Sequence, residues 1–207
     1  MPFITTTAPA DAEGDVLAMY QRQQRAWGFV PNYAKVFCHR PDIMKLWADL
    51  LSGIRRDMDR RRFELATVAA ALAIRSSYCS LAHGKALTQF FGADEIRAIV
   101  EESDDVPLTA AEKAMMRFAR KIARNATDVT AADVDALKAH GYDDREIFDI
   151  AAAATARTFF AQLCEGLGAI PDVAFRDIDA TLRDTLTVGR PIDTAATESV
   201  GAAEAAC

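Results

Sequence analysis

Over residues 11–186 the apolar residues recur three and four positions apart, in runs broken by residues that start or stop helices, and period-two alternation is almost absent. A chain patterned this way can bury its apolar faces only by packing helix on helix, so the expected fold is all-α, a compact multi-helix bundle. The pattern predicts a first helix over 11–27, closed by Gly28 in a left-handed cap, and a short helix reaching Cys38. Pro41 opens the next, whose Ile43, Leu46, Trp47, Leu50 and Ile54 form one stripe expected to face the core. Asp57 and Asp59 precede a helix running to Ile74, and Ser76 stands as N-cap of another, over 78–91, that Gly92 is expected to close. Asp94 starts a short helix. Thr109 with Glu112 and Asp143 with Glu146 have capping-box spacing, and Thr130 with Asp133 is a looser version. A long apolar helix over 146–167 and a last one over 172–186 complete the series.

With 207 residues, half of them apolar, the chain can build a sizeable core without disulfides, and residues 1–188 are expected to form a single helical domain. Residues 189–207 are small and polar and read as a flexible tail or as an arm for a neighbouring subunit. Sliding the chain by 85 positions sets Asp149 on Glu64, Ala151 and Ala154 on Ala66 and Ala69, and Cys164 on Cys79, while Gly168 falls on His83. An internal duplication whose second copy lost the histidine and a chance echo both fit that match. A net charge of −6 without a compensating basic cluster argues against nucleic acid. The N-terminus has no basic stretch followed by an apolar run, and the apolar run 65–74 is about half the ~20 residues of a membrane span. A cytoplasmic protein with no membrane partner is expected. Cys38, Cys79, Cys164 and Cys207 are then free thiols that matter through reactivity.

One stretch concentrates reactive groups. Glu64 opens an Ala- and Leu-rich helix, and Cys79 and His83 follow on the next. Four residues apart, Cys79 and His83 share a helix face, close enough for the imidazole to exchange a proton with the thiol. With Ser76 as N-cap, Cys79 is the third helical residue, where free N–H groups and the helix dipole favour a thiolate. A carboxylate at 64 needs a thiol, imidazole or water beside it to be buried. Each residue also has a plain structural role open to it: a small buried cysteine, a satisfied histidine, an acid near a helix start. One Cys, one His and one Glu supply at most three ligands, so no metal is expected, and no cofactor.

Glu64, an eleven-residue gap, Ser76-Ser77-Tyr78-Cys79, three residues and then His83 follow the spacing Glu…Cys-x-x-Cys-x-x-x-His. In this the chain resembles the alkylhydroperoxidase D and carboxymuconolactone decarboxylase superfamily, and Tyr78-Cys79 is similar to the Tyr-Cys pair of its peroxidase-related branch. The likeness extends from PNYAKVFCHRPD to EGLGAIPD. Two positions depart from it: the first cysteine of the pair is Ser76, and Phe160-Ala161-Gln162 stands where relatives often carry Asn-Arg.

The resemblance implies a catalytic set of Cys79, His83 and Glu64, with Ser76 and Tyr78 lining the site. It implies an alkylhydroperoxidase-like oxidoreductase that reduces organic hydroperoxides. Cys79 would attack the peroxide while Glu64 and His83 move protons. A hydroxyl at 76 cannot form a disulfide, so the sulfenic acid would be resolved by an external thiol reductant or by Cys38, Cys164 or Cys207, of which Cys207 on the tail has the longest reach. Two alternatives remain open. One is a decarboxylase or related lyase acting on a small carboxylate or lactone through Glu64 and His83, for which no arginine clamp is evident in the sequence. The other is a catalytically relic oligomer. The resemblance also implies a small-molecule substrate and a homo-oligomer.

Overall fold

The computed structural model describes residues 2–103 and 106–200; among them are ten α-helices and no β-strand. They are α1 (Gly14–Trp27), α2 (Asn32–Val36), α3 (Pro41–Asp57), α4 (Arg60–Ala73) and α5 (Ser77–Leu87), then α6 (Ala93–Val100), α7 (Ala110–Asn125), α8 (Ala131–Ala139), α9 (Asp144–Gly166) and α10 (Ala180–Leu186). The fold is all-α, as the periodicity requires.

The centre of the bundle is α4, packed against α5, α7 and α9. Every residue from Phe63 to Ala71 is buried, the signature of a helix enclosed on all sides. Buried alanines make this enclosure possible. Ala66, Ala69, Ala70 and Ala71 on α4, Ala119 on α7, and Ala153, Ala154 and Ala161 on α9 are all fully excluded from solvent, and small side chains bring helix axes close. The ends are tied by charge: Arg61 Nε lies 2.7 Å from Glu112 at the start of α7, and Arg62 Nη1 lies 3.0 Å from Glu146 at the start of α9. By length and composition α9 could cross a membrane, but it packs inside the bundle against α3, α4 and α7.

Several start and stop signals act as the sequence indicates. Gly28 is left-handed, with φ of 84°, and caps α1. Asp59 accepts the Arg62 N–H at 2.9 Å, and the boxes Thr109–Glu112 and Asp143–Glu146 close in both directions. At Thr130 the returning half of the box forms, Asp133 accepting the Thr130 N–H at 2.7 Å.

Other expectations are corrected. The α3 stripe does not face the core along its whole length, because Leu46 and Leu50 are 62% and 56% exposed while Ile54 is buried. With Phe159 of α9, also exposed, they form an apolar strip on the outside of the bundle. Gly92 does not close α5, which ends at Leu87; its φ of −71° is ordinary, and its N–H donates to Glu95 Oε2 at 2.7 Å as the start of α6. The segment 172–186 is two pieces, a 3-10 turn Val173–Asp177 and α10, because Asp179 caps a new helix by accepting the Leu182 N–H. Residues 189–200 lie along the body of their own chain: the Gly189 N–H donates to Ser77 Oγ, and Val200 N–H donates to Gln24 Oε1 at 2.7 Å. Cys207 lies outside the described residues.

Because Asp59 orients the helix that carries Glu64, Asp59→Ala should lower stability by about 1 kcal/mol, read as an earlier urea midpoint, and Asp59→Ser should recover most of it. Equal midpoints for wild type and Asp59→Ala would show that the cap carries no stability.

Candidate active site

The chain reverses between α4 and α5 at Arg75, whose φ of 58° is left-handed, a conformation that costs energy for a residue with a side chain. The reversal runs α5 back along α4, so that His83 comes beside Glu64 and Thr67. The C-terminal segment fastens it: Gly189 packs so tightly on the Arg75 carbonyl that a Cβ there would collide with it. Ser76 holds the N-cap position of α5, but its hydroxyl makes no capping bond and donates instead to Glu165 Oε1 at 3.0 Å. Arg190 Nε, 2.9 Å from Glu165 Oε2, completes that strap.

Glu64 and His83 meet directly. His83 Nδ1 lies 2.6 Å from Glu64 Oε2 and 3.1 Å from Thr67 Oγ1. Thr67 donates its own hydrogen to the Phe63 carbonyl at 2.8 Å, so both neighbours of Nδ1 accept and the ring carries its proton there. Nε2 is then free to take a proton. Burial and the Arg157 charge hold the His83 pKa below its ordinary value, outweighing the Glu64 hydrogen bond, so the ring is neutral near pH 7. Burial pushes the Glu64 carboxyl up, but the His83 hydrogen bond and the charges of Arg55 and Arg157 bring it below the ordinary range.

Cys79 is 1% exposed, and its Sγ accepts from Arg157 Nη1 at 3.6 Å. Arg157 rises from the middle of α9 and is 96% buried, its guanidinium 5.4 Å from the ring centres of both Trp47 and Phe160. These groups face a pocket of about 670 Å³ that is also lined by Trp27, Tyr33 and Tyr78. Behind the pocket, the Tyr78 hydroxyl donates to buried Asp172 Oδ2, whose Oδ1 accepts the Asn32 N–H at 2.9 Å. Burial raises the Asp172 pKa to about 6, against the pull of those two donors and Lys35. Burial, then Asp172, pushes the Tyr78 hydroxyl well up. Cys164 is fully buried, and burial, followed by the proximity of Cys79, pushes its thiol well up.

Glu64, Tyr78, Cys79 and His83 are thus brought to one pocket. Ser76 is not: it does not line the pocket, because its hydroxyl is turned toward Glu165. Arg157 went unnoticed in the sequence. Its signal was present as the one charge in the apolar stretch 150–164 of α9, an arrangement that is costly unless the charge has a task. Among the described residues no group of three His, Cys, Asp or Glu could hold a metal ion.

Comparison with known proteins bears on the fold. Residues 41–121, from α3 into α7, match the carboxymuconolactone decarboxylase family. No curated protein sequence matches the chain. Among solved structures, the alkylhydroperoxidase AhpD core of an uncharacterized peroxidase-related protein from Ralstonia eutropha JMP134 is similar, with a TM-score of 0.73 and 24% identity over 84% of this chain and 94% of that one. A peroxidase-related protein from Silicibacter sp. TM1040 has a TM-score of 0.69 and 21% identity over 84% and 98%. A cysteine-to-alanine variant of the debrominase Bmp8, in complex with 2,3,4-tribromopyrrole, has a TM-score of 0.68 and 18% identity over 89% and 95%. At these identities the likeness is one of fold.

A buried carboxyl raised from 3.8 to about 6 binds its proton in the folded state across a range where the unfolded chain has lost it. Its contribution to stability is therefore present below pH 4 and lost as pH rises through 6. Asp172→Asn, which does not titrate, should gain on wild type by on the order of 2 kcal/mol between pH 4 and pH 7 in chemical denaturation. Parallel stability profiles would show that Asp172 is not held in this way.

Proposed function

We propose that this chain, whose residues 41–121 match the carboxymuconolactone decarboxylase family and whose fold is alkylhydroperoxidase D-like, is a one-cysteine oxidoreductase that reduces organic hydroperoxides at Cys79. The observation that carries the reading is the placement of Cys79 Sγ against the buried Arg157 guanidinium, in the aromatic-lined pocket that also holds the Glu64–His83 pair. A guanidinium keeps its charge at all working pH values, and beside a thiol it favours the thiolate, the nucleophilic form.

In the proposed reaction Cys79 Sγ attacks the distal oxygen of the hydroperoxide. The S–O bond forms as the O–O bond breaks, so the sulfur is oxidised to sulfenic acid and the peroxide is reduced to an alcohol. His83 Nε2 takes the thiol proton and passes it to the departing alkoxide, and Glu64 steadies the imidazolium formed between these steps. The sulfenic acid is then attacked by an external thiol, releasing water and leaving a mixed disulfide that a second thiol reduces. An external donor fits the surroundings, since Ser76 cannot form a disulfide and Cys164 sits in the core with its thiol pushed well up. The large apolar lining suits an organic rather than an inorganic peroxide. The fold likeness to two peroxidase-related proteins supports the same reading.

A second reading has one observation in its favour: the Glu64–His83 hydrogen bond is complete without the thiol and could transfer a proton to or from a small acid or lactone. Cys79→Ala separates the two, because it abolishes peroxide reduction and leaves a lyase active.

The test is dimedone trapping after brief exposure to cumene hydroperoxide, with intact-mass readout. Wild type should gain one adduct on Cys79, and Cys79→Ser should gain none there. His83→Ala should slow sulfenate formation at pH 7 by roughly a hundredfold, and Arg157→Met should slow it by at least roughly tenfold. A Cys79 that takes up no adduct while the protein remains folded would sink the proposal.

A further inference from the structure

The pocket carries the opposite charge to the protein. Its walls include Arg55, Arg60, Lys85 and Arg157 against the single carboxylate of Glu64, a net +3 in a chain of net charge −6. An adjoining cavity of about 660 Å³ shares Tyr33, Trp47, Leu51, Arg55 and Arg60 with the first, adds Arg56, and has no acid in its lining. These cations are also unspent. Among the described residues none of Arg55, Arg60, Lys85 and Arg157 forms an ion pair with a carboxylate, although Arg61 and Arg62, next to Arg60, are both paired. Arg157 goes further, because its Nε is buried without any hydrogen-bond partner. A protein with surplus carboxylates that leaves four cations around one cleft unneutralised concentrates anions there.

The cations occupy two positions. Arg157 is buried at the floor beside Cys79, while Arg55, Arg60 and Lys85 are exposed, at the end of α3, the start of α4 and the last turn of α5. Trp27, Trp47, Tyr33, Tyr78 and Phe160 lie in the walls of the same pocket. An anion placed on the floor would compete with the thiolate for Arg157. An anion held at the rim leaves Arg157 to the sulfur.

We propose that the substrate is an organic anion with an aromatic or otherwise apolar body, its negative group held by Arg55, Arg60 and Lys85 and its reacting end delivered across the aromatic walls to Cys79. This rests on the reading of the pocket as the place where Cys79 meets its substrate. The rim charges raise the encounter rate with such a molecule and set its direction of entry, and a neutral molecule of the same shape gains neither.

The test needs no turnover. Trp27 and Trp47 are the two tryptophans of the chain, and both line the pocket, so quenching of intrinsic fluorescence reports its occupation. The probes are 4-nitrobenzoate and 4-nitrobenzamide, a quenching aromatic acid and its neutral amide. The acid should bind at least roughly tenfold more tightly than the amide in 20 mM salt, and the preference should shrink in 0.5 M salt, where exposed charges are screened. The double variant Arg60→Gln, Lys85→Gln should lose most of the preference; both residues are exposed and unpaired, so the fold should tolerate it. Equal affinities at low salt, no binding of the acid, or a preference unchanged in the double variant would each overturn the proposal. Cys79→Ser should titrate as wild type does, so an inert thiol and a pocket indifferent to charge are separate failures.

Discussion

Arg157 is a full charge buried without an ion-paired carboxylate, and the rest of the site is organised around what offsets that cost. Removing an ion from water carries a penalty of several kcal/mol per charge in a real protein, so the surroundings have to return it. Two ring faces do part of this, since a desolvated cation over an aromatic face gains roughly 2 kcal/mol, and Trp47 and Phe160 both present one. Cys79 Sγ supplies the polar contact. After burial, the same charge lowers the His83 pKa, and behind the His83 hydrogen bond and Arg55 it helps hold Glu64 ionised, so one residue of α9 acts on two residues of α4 and α5. Glu64, Cys79 and His83 thus share one pocket with a permanent cation that a third helix brings to them.

That convergence depends on small side chains. Arg157 can reach Cys79 from α9 because α4, α5 and α9 lie close together, and the buried alanines of α4 and α9 permit the approach. The left-handed Arg75 supplies the other constraint, turning the chain so that α5 runs back along α4 and His83 reaches Glu64. Gly189 on the Arg75 carbonyl, the Gly189 N–H on Ser77, and Arg190 on Glu165 hold that turn from outside. Residues 189–200 therefore belong to the architecture of the site, although their composition reads as a tail.

What the sequence made legible follows from whether the information is local. Helix periods, the Asp59 and Asp143 caps and the Gly28 stop are decided within a few residues, and they stand where expected. The Glu64–Cys79–His83 grouping was legible because two adjacent helices carry it at fixed spacing. Arg157 was not, because the contact spans 78 residues of sequence and its only local mark is a charge in an apolar run. The outward turn of Leu46 and Leu50 was hidden for a related reason: an apolar stripe reads the same whether it meets its own core or stands at the surface. Gly92 was misplaced because a glycine can end one helix or begin the next, and the choice lay with Glu95 three residues on.

Ser76 shows how a motif position can keep its place and change its work. In a Cys-x-x-Cys pair the first sulfur must be able to reach the second across one turn of helix. Here the side chain at 76 points away from the pocket, its hydroxyl donating to Glu165, which Arg190 holds in turn. A serine suits that position better than a cysteine, because a hydroxyl is the stronger donor to a carboxylate. The exchange that removes a disulfide partner from Cys79 thus provides an anchor for the C-terminal segment.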